Sequence, residues 1–172
     1  MSTQSNLEEI KRSLSHLAQT GLYDTDKYTR SLLHQTSQLE YFYCHLVKEG
    51  GCAKTYYHVP NKPKIHQLAY FNIGRGFPKE LMDGHWCYVL KDLGYKMLIV
   101  PCTSIKEDSS PPNPAFEKDI LMRDGEKIMQ CRMQLSDLRT VDLQRLDQRK
   151  SFYQVITKRQ EIQEFLKQKL FD

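Results

Sequence analysis

The sequence contains little that could enter a membrane. Its longest apolar stretch, Met97–Cys102, is far shorter than the ~20 residues that a transmembrane helix needs. Residues 1–13 are polar and lack the apolar segment of a secretory signal, so we expect a cytoplasmic protein. The five cysteines include no C-x-x-C pair, which favours reduced thiols over a disulfide framework or a zinc site.

Common catalytic signatures are also missing. The sequence has no P-loop, no H-E-x-x-H and no G-x-S-x-G. The run Gly74-Arg75-Gly76 does not continue as a dinucleotide-binding motif, because Lys79 stands where the third glycine would be. We therefore expect neither a metal nor a cofactor. The net charge of +4 permits a nucleic-acid partner but does not require one.

The 172 residues, of which 40% are hydrophobic, are enough for about one domain with its own core. Apolar residues at helical spacing predict a helix over 5–19, with Ser5 and Glu8 as a capping box. A second helix is predicted from Asp24 to Lys48, ended by Gly50-Gly51. Residues 1–50 would then be an N-terminal helical hairpin ahead of a main domain at 51–172. We expect its apolar residues to be buried, namely Leu14, Leu17, Leu32, Leu39 and Phe42.

Prolines interrupt any long helix after residue 51, and five short segments rich in aromatic and β-branched residues predict strands. These segments are 65–71, 85–91, 95–102, 116–122 and 128–135. Asp92-Leu93-Gly94 and Asp124-Gly125 predict hairpin turns. Helical periodicity returns over 151–169. The predicted fold class is α+β: a small antiparallel barrel or rolled sheet with a C-terminal helix, preceded by the helical hairpin.

Short polar elements fall at the ends of the predicted strands. A glycine loop contains Arg75 and Lys79, His85 opens one strand, and Thr103-Ser104 closes the next. Because a short turn makes those two strands antiparallel, we expect His85 and Thr103 at the same edge of the sheet. Metal-free RNA cleavage needs a base for the 2′-hydroxyl proton, an acid for the leaving oxygen, and donors for the phosphorane. Histidine, arginine and a pair of hydroxyls can fill those roles.

The same residues also fit structural roles. His85 can be a hydrogen-bonded structural histidine, and Arg75 can be a solvated loop residue. Thr103 and Ser104 can be turn hydroxyls. Trp86 can be a packing residue, because tryptophan packs in protein cores more often than it stacks on bases. The residue types alone leave both interpretations open.

Three motifs resemble the PemK/MazF family of toxin endoribonucleases. Asp137–Leu146 resembles that family's Q-I-R-T-[IV]-D-x-x-R-L, and Ile99–Ser104 resembles its V-P-[LC]-T-[ST] strand end. Glu80–Val89 is similar to the element E-x-x-x-x-R-P-x-x-V. The order and spacing of the motifs agree, and the resemblance covers roughly residues 65–170. His85 replaces the family's arginine, Trp86 its proline, and Asp137 its glutamine.

The resemblance implies an SH3-like barrel that cuts single-stranded RNA or mRNA without metal, leaves a 2′,3′-cyclic phosphate and inhibits growth. It implies a site in which His85 is the general acid or base, Arg75 binds the phosphate, and Thr103 and Ser104 donate hydrogen bonds. The candidate RNA contacts are Lys79, Trp86 and Arg139. A cognate antitoxin and a homodimer are the further expected partners, with no membrane. The alternatives are a non-catalytic module that binds protein or nucleic acid, and a toxin of the gyrase-poison type.

Overall fold

The computed structural model describes residues 2–47 and 58–171, and the chain divides into two units, Met1–Lys48 and Glu49–Asp172. The first unit contains helices α1 (Thr3–Thr20) and α2 (Thr25–Tyr41), followed by a π-helical turn over Phe42–Leu46. The predicted helix end at Gly50-Gly51 lies outside the described residues.

The cap of α1 differs from the prediction. The side chain of Ser2, not Ser5, caps the helix by accepting a hydrogen bond of 3.2 Å from the Ser5 amide. The helix ends at Gly21, whose φ of 64° is a left-handed conformation that glycine adopts without steric cost. The Asp24 carboxylate caps α2 by accepting from the amide of Lys27.

The expected burial of the hairpin's apolar residues is wrong. Neither α1 nor α2 contains a buried residue. Leu17 and Leu32 are each 37% exposed, and Leu39 is 51% exposed. Because the two helices form a single layer, each leaves much of its apolar surface uncovered within the unit.

The second unit confirms the predicted α+β class with a small antiparallel barrel. The five predicted strands are present as β1 (Gln67–Asn72), β2 (Gly84–Asp92), β3 (Lys96–Ser104), β4 (Glu117–Asp124) and β5 (Lys127–Gln134). Two short strands were not predicted, β6 (Arg139–Asp142) and β7 (Tyr153–Val155). Helix α3 covers Arg159–Phe171.

Six of the strands close the barrel in the order β2-β1-β7-β4-β5-β3, because β2 also pairs with β3. Strand β6 pairs with the beginning of β3, at the edge of β3 that does not face β2, with Met97 opposite Val141. Gly94 makes the β2–β3 turn with φ of 87°, and the Asp92 carboxylate accepts a 2.8 Å hydrogen bond from its amide. This short turn determines which residues of β2 and β3 lie opposite each other.

Alternating residues build two cores on the two faces of the sheet. The barrel interior contains Leu68, Tyr88, Val100, Ile120 and Met133, and Ile162 and Leu166 of α3 pack against them. A second cluster, which includes Phe71, Val89 and Ile99, lies on the outer face of β1–β3 beneath Val141 of β6 and Leu143. Residues on β2 and β3 therefore have fixed orientations, which positions the candidate site.

The prediction of one helix over 151–169 is wrong at its beginning. Tyr153–Val155 is strand β7, which pairs with β1 on one side and β4 on the other. The apolar spacing of residues 152–156 fits a helical period by coincidence, but the unpaired backbones of β1 and β4 require a strand between them. The Leu121 carbonyl accepts a 2.8 Å hydrogen bond from the Ile156 amide just past β7, and the helix begins only at Arg159.

Candidate functional site

The glycine loop between β1 and β2 has a defined fold. At its base, the Asp83 carbonyl accepts from the Ile73 amide at 2.8 Å, and the Gly74 carbonyl accepts from the Asp83 amide at 2.7 Å. Both Gly74 (φ 83°) and Asp83 (φ 67°) have left-handed backbones. The buried carboxylate of Asp137 accepts a 2.9 Å hydrogen bond from the Leu81 amide. The loop is thus fastened to the turn that precedes β6.

Arg75 points back into this loop. Its side chain is only 10% exposed, and Nη2 lies 3.0 Å from Oδ2 of Asp83. Nη1 lies 3.6 Å from the sulfur of Met82. Nε and Nη2 are buried and have no hydrogen bond of good geometry, although the Asp83 carboxylate balances the charge. A guanidinium with donors left over can bind a phosphate oxygen if one enters the loop.

His85 connects the glycine loop to β3. Its Nε2 lies 3.0 Å from the Met82 carbonyl oxygen, and its Nδ1 lies 3.3 Å from the Cys102 carbonyl oxygen. Carbonyl oxygens only accept, whereas a neutral imidazole has a single N–H. A doubly protonated ring therefore satisfies both contacts. A ring that exchanges a proton with a substrate, as an acid or as a base, must first turn one nitrogen away from its carbonyl.

Cross-strand pairing aligns polar residues on the outer face of the barrel. Trp86 pairs with Cys102, so His85 and Thr103 occupy the next positions outward on β2 and β3. Thr103 pairs with Arg132 on β5, and Arg132 pairs with Asp119 on β4. Residues opposite each other in antiparallel strands project from the same face. The sequence prediction that His85 and Thr103 come to one edge agrees with this register.

Arg132 is the centre of a polar network that the sequence analysis did not find. Its Nε and Nη2 donate to the two carboxylate oxygens of Asp119 at 2.6 and 3.1 Å, and Nη1 donates to the Ser110 carbonyl at 2.7 Å. Gln134 donates from Nε2 to Oγ1 of Thr103 at 3.3 Å and to Oε1 of Glu117 at 2.9 Å. The Asp124-Gly125 turn contained the signal, because it makes Asp119 face Arg132.

Trp86 belongs to an aromatic cluster at the same end of the strands. Its ring stacks on Tyr153 at 4.1 Å with 27° between the planes, and it meets the edge of Tyr70 at 5.5 Å. The Nζ of Lys150 lies 5.8 Å from the Tyr70 ring centroid. Gly84 allows this packing, because a Cβ there would lie 2.3 Å from the Tyr70 hydroxyl. The Trp86 ring packs against the barrel interior while remaining partly exposed.

The two remaining predicted RNA contacts differ in their surroundings. Lys79 is exposed in the glycine loop. Arg139 on β6 donates from Nη2 to Oδ1 of Asp137 at 3.0 Å, and its side chain is 29% exposed. The charge of Arg139 is therefore partly used within the protein. Ser104, the last residue of β3, is exposed.

Within residues 2–47 and 58–171, no group of three His, Cys, Asp or Glu side chains is arranged to hold a metal ion. The helices described there are all too short or too polar to span a membrane. Comparison with protein-family models and with curated proteins finds no match for this chain.

Proposed function

We propose that this protein is a toxin-type endoribonuclease, similar to the PemK/MazF family, that cuts single-stranded RNA without a metal. The observation that carries the proposal is the position of His85, whose ring lies between the glycine loop and the end of β3. One ring nitrogen contacts the carbonyl oxygen of Met82, whose sulfur contacts Nη1 of Arg75. The other contacts the carbonyl of Cys102, which precedes Thr103. His85 thus links the loop that holds Arg75 to the strand end that holds Thr103.

The reaction that fits these residues is an internal transesterification of RNA. The 2′-oxygen forms a bond to phosphorus, the bond from phosphorus to the 5′-oxygen breaks, and a 2′,3′-cyclic phosphate remains. The 2′-hydroxyl loses its proton to a solvent water, and the leaving 5′-oxygen gains a proton from His85, which then recovers one from solvent. Arg75 binds a non-bridging phosphate oxygen, and the hydroxyls of Thr103 and Ser104 stabilise the charge that develops on the phosphorane.

The RNA contacts follow from what surrounds this edge. The exposed part of the Trp86 ring, on the opposite face of β2 from His85, offers a surface for one unstacked base at this end of the strands, and exposed Lys79 attracts the backbone. Arg139 contacts RNA only through the part of its guanidinium that the ion pair with Asp137 leaves exposed. In this proposal the protein acts in the cytoplasm to inhibit growth, a cognate antitoxin restrains it, and a homodimer is its working form.

A second candidate function is a binding module without catalysis. It is favoured by the contacts of His85, because both ring nitrogens already face backbone carbonyls. In that case His85 is a structural tie between the loop and β3, and the aromatic and basic residues bind a nucleic acid or a protein. The fold alone does not decide between these functions.

The test is incubation of the purified full chain with a long RNA in EDTA, followed by mapping of the cut ends. We expect 5′-hydroxyl and 2′,3′-cyclic phosphate ends. His85→Ala should lower the rate by about 10²–10⁴, the usual effect of losing a general acid or base. His58→Ala is the matched control, because His58 is an exposed histidine of the same unit. RNA that stays intact, or equal rates for the two variants, would contradict the ribonuclease function and favour the binding module.

A further inference from the structure

The side-chain amide of Gln134 has one orientation that fits its surroundings. Nε2 lies 2.9 Å from Oε1 of Glu117 and 3.3 Å from Oγ1 of Thr103. An ionised carboxylate can only accept hydrogen bonds, so the NH2 group and not the amide oxygen must face Glu117. The same NH2 group therefore also donates to the Thr103 hydroxyl oxygen.

Glu117 is held as an acceptor from several sides. Its Oε2 accepts a 2.6 Å hydrogen bond from the Asn113 amide, and Nη1 of Arg132 lies 3.7 Å away. The Asn113 amide lowers the pKa of Glu117 most, and together with Gln134 and Arg132 it outweighs the raising effects of burial and of the Asp119 charge. The carboxylate is thus ionised near neutral pH and keeps the Gln134 amide from flipping.

This arrangement determines which way the Thr103 hydroxyl donates. Its oxygen already accepts from Gln134, so its proton must point elsewhere. Within the described residues, no group accepts a hydrogen bond from that proton. Thr103 is partly exposed and pairs with Arg132, next to exposed Ser104 at the end of β3. The hydroxyl proton is therefore available to an anion at the outer face.

We propose that Gln134 is a positioning residue that keeps the Thr103 hydroxyl oriented as a donor toward the scissile phosphate. The inference rests on the proposed ribonuclease function and adds to it a residue outside the motifs that resemble the toxin family. Glu117 acts through Gln134, and Gln134 acts through Thr103. The transition state benefits because a donor already aimed at the phosphate needs no reorganisation when charge develops there.

If Gln134 had only a structural role, a different result would be expected. Exchanging the side chains of Gln134 and Glu117 distinguishes the structural role from the positioning role. In the double variant Gln134→Glu with Glu117→Gln, net charge is preserved and an amide can still donate to a carboxylate across β4 and β5. The contact between the strands therefore survives. The group facing Thr103 becomes an acceptor, however, so the hydroxyl proton turns toward it and away from the phosphate.

The experiment measures single-strand RNA cleavage in EDTA for the full chain, with kcat and KM determined separately. Thr103→Val, which removes the hydroxyl at nearly constant shape, should lower kcat by about 10²-fold, as for loss of an oxyanion donor. The exchange variant should lower kcat by about tenfold or more, the effect of one neutral hydrogen bond, with KM little changed. In the Thr103→Val background the exchange should have no further effect. Thr103→Ser should restore both activity and its dependence on Gln134.

Each outcome decides the inference. It is overturned if the exchange variant keeps the parent kcat, or if the exchange costs the same with and without the Thr103 hydroxyl. Full activity of Thr103→Val overturns it too. If the exchange variant does not fold, Gln134→Met, which removes the donor without adding charge, must show the same loss of kcat and the same dependence on Thr103. A parent protein that cuts no RNA rejects the proposed function itself, and this inference with it.

Discussion

Helix α3 provides the sharpest test of the barrel core. Ile162 is fully buried against the barrel interior, whereas Leu170, two turns later on the same helix, is 42% exposed. Replacing either residue by alanine removes three carbons. The difference between the two variants therefore mainly measures burial, because the unequal helix propensities of isoleucine and leucine contribute only tenths of a kcal/mol.

The expected magnitude follows from the burial of Ile162. Removing three buried carbons at about 0.8 kcal/mol each costs about 2.4 kcal/mol. The cavity left behind adds to this, and measured Ile→Ala changes in cores run from about 2 to 5 kcal/mol. We expect Ile162→Ala to lower the free energy of unfolding by about 3 kcal/mol. Leu170→Ala should stay within about 0.5 kcal/mol, as is usual for exposed positions.

Urea denaturation measures both values. Trp86 is the only tryptophan, and it packs against the same interior cluster as Ile162, so its fluorescence reports unfolding of the barrel. Circular dichroism gives an independent measure of helix loss. Similar midpoints for the two variants would refute the placement of α3 against the barrel interior. A loss of helix signal before the fluorescence change would show that α3 unfolds separately.

Three further predictions concern protonation, packing and thiol reactivity. Burial, followed by the charge of Arg159, lowers the pKa of His66, so the folded state binds fewer protons there than the unfolded chain. The contribution of His66 to the free energy of unfolding should therefore be fully present above about pH 6.5 and decline as the pH falls toward its lower folded pKa. This decline should shrink in His66→Asn, because asparagine does not titrate. Asparagine is the suitable replacement because it tolerates the left-handed φ of 70° at that position. Gly84→Ala should lower the melting temperature and shift Trp86 emission, because the new Cβ would collide with the Tyr70 ring that packs on Trp86; unchanged emission would contradict that packing. Burial raises the pKa of Cys87, so iodoacetamide should modify exposed Cys44 and spare Cys87 in the native protein, as peptide mass spectrometry can show.

Part of the candidate site could be read from the sequence, because short turns relate residues that are near in the chain. The turn at Asp92–Gly94 placed His85 and Thr103 at one edge, and the register of β2 and β3 agrees. The same reasoning applied to the Asp124-Gly125 turn would have paired Asp119 with Arg132. Counting residues outward from a turn does not show the hydrogen-bond partners of each side chain, such as the two carbonyls that face the ring of His85.

The sequence by itself determined the local elements of this protein: five strands, two of their turns, and the helical nature of both ends of the chain. Each depends on residues within about ten positions, through alternation, helical spacing and turn-forming glycines. Only the tertiary structure decided strands β6 and β7 and the true start of α3. Tyr153–Val155 is a strand because the distant strands β1 and β4 offer it hydrogen-bond partners on both sides, and those contacts outweigh the helical spacing of its apolar side chains.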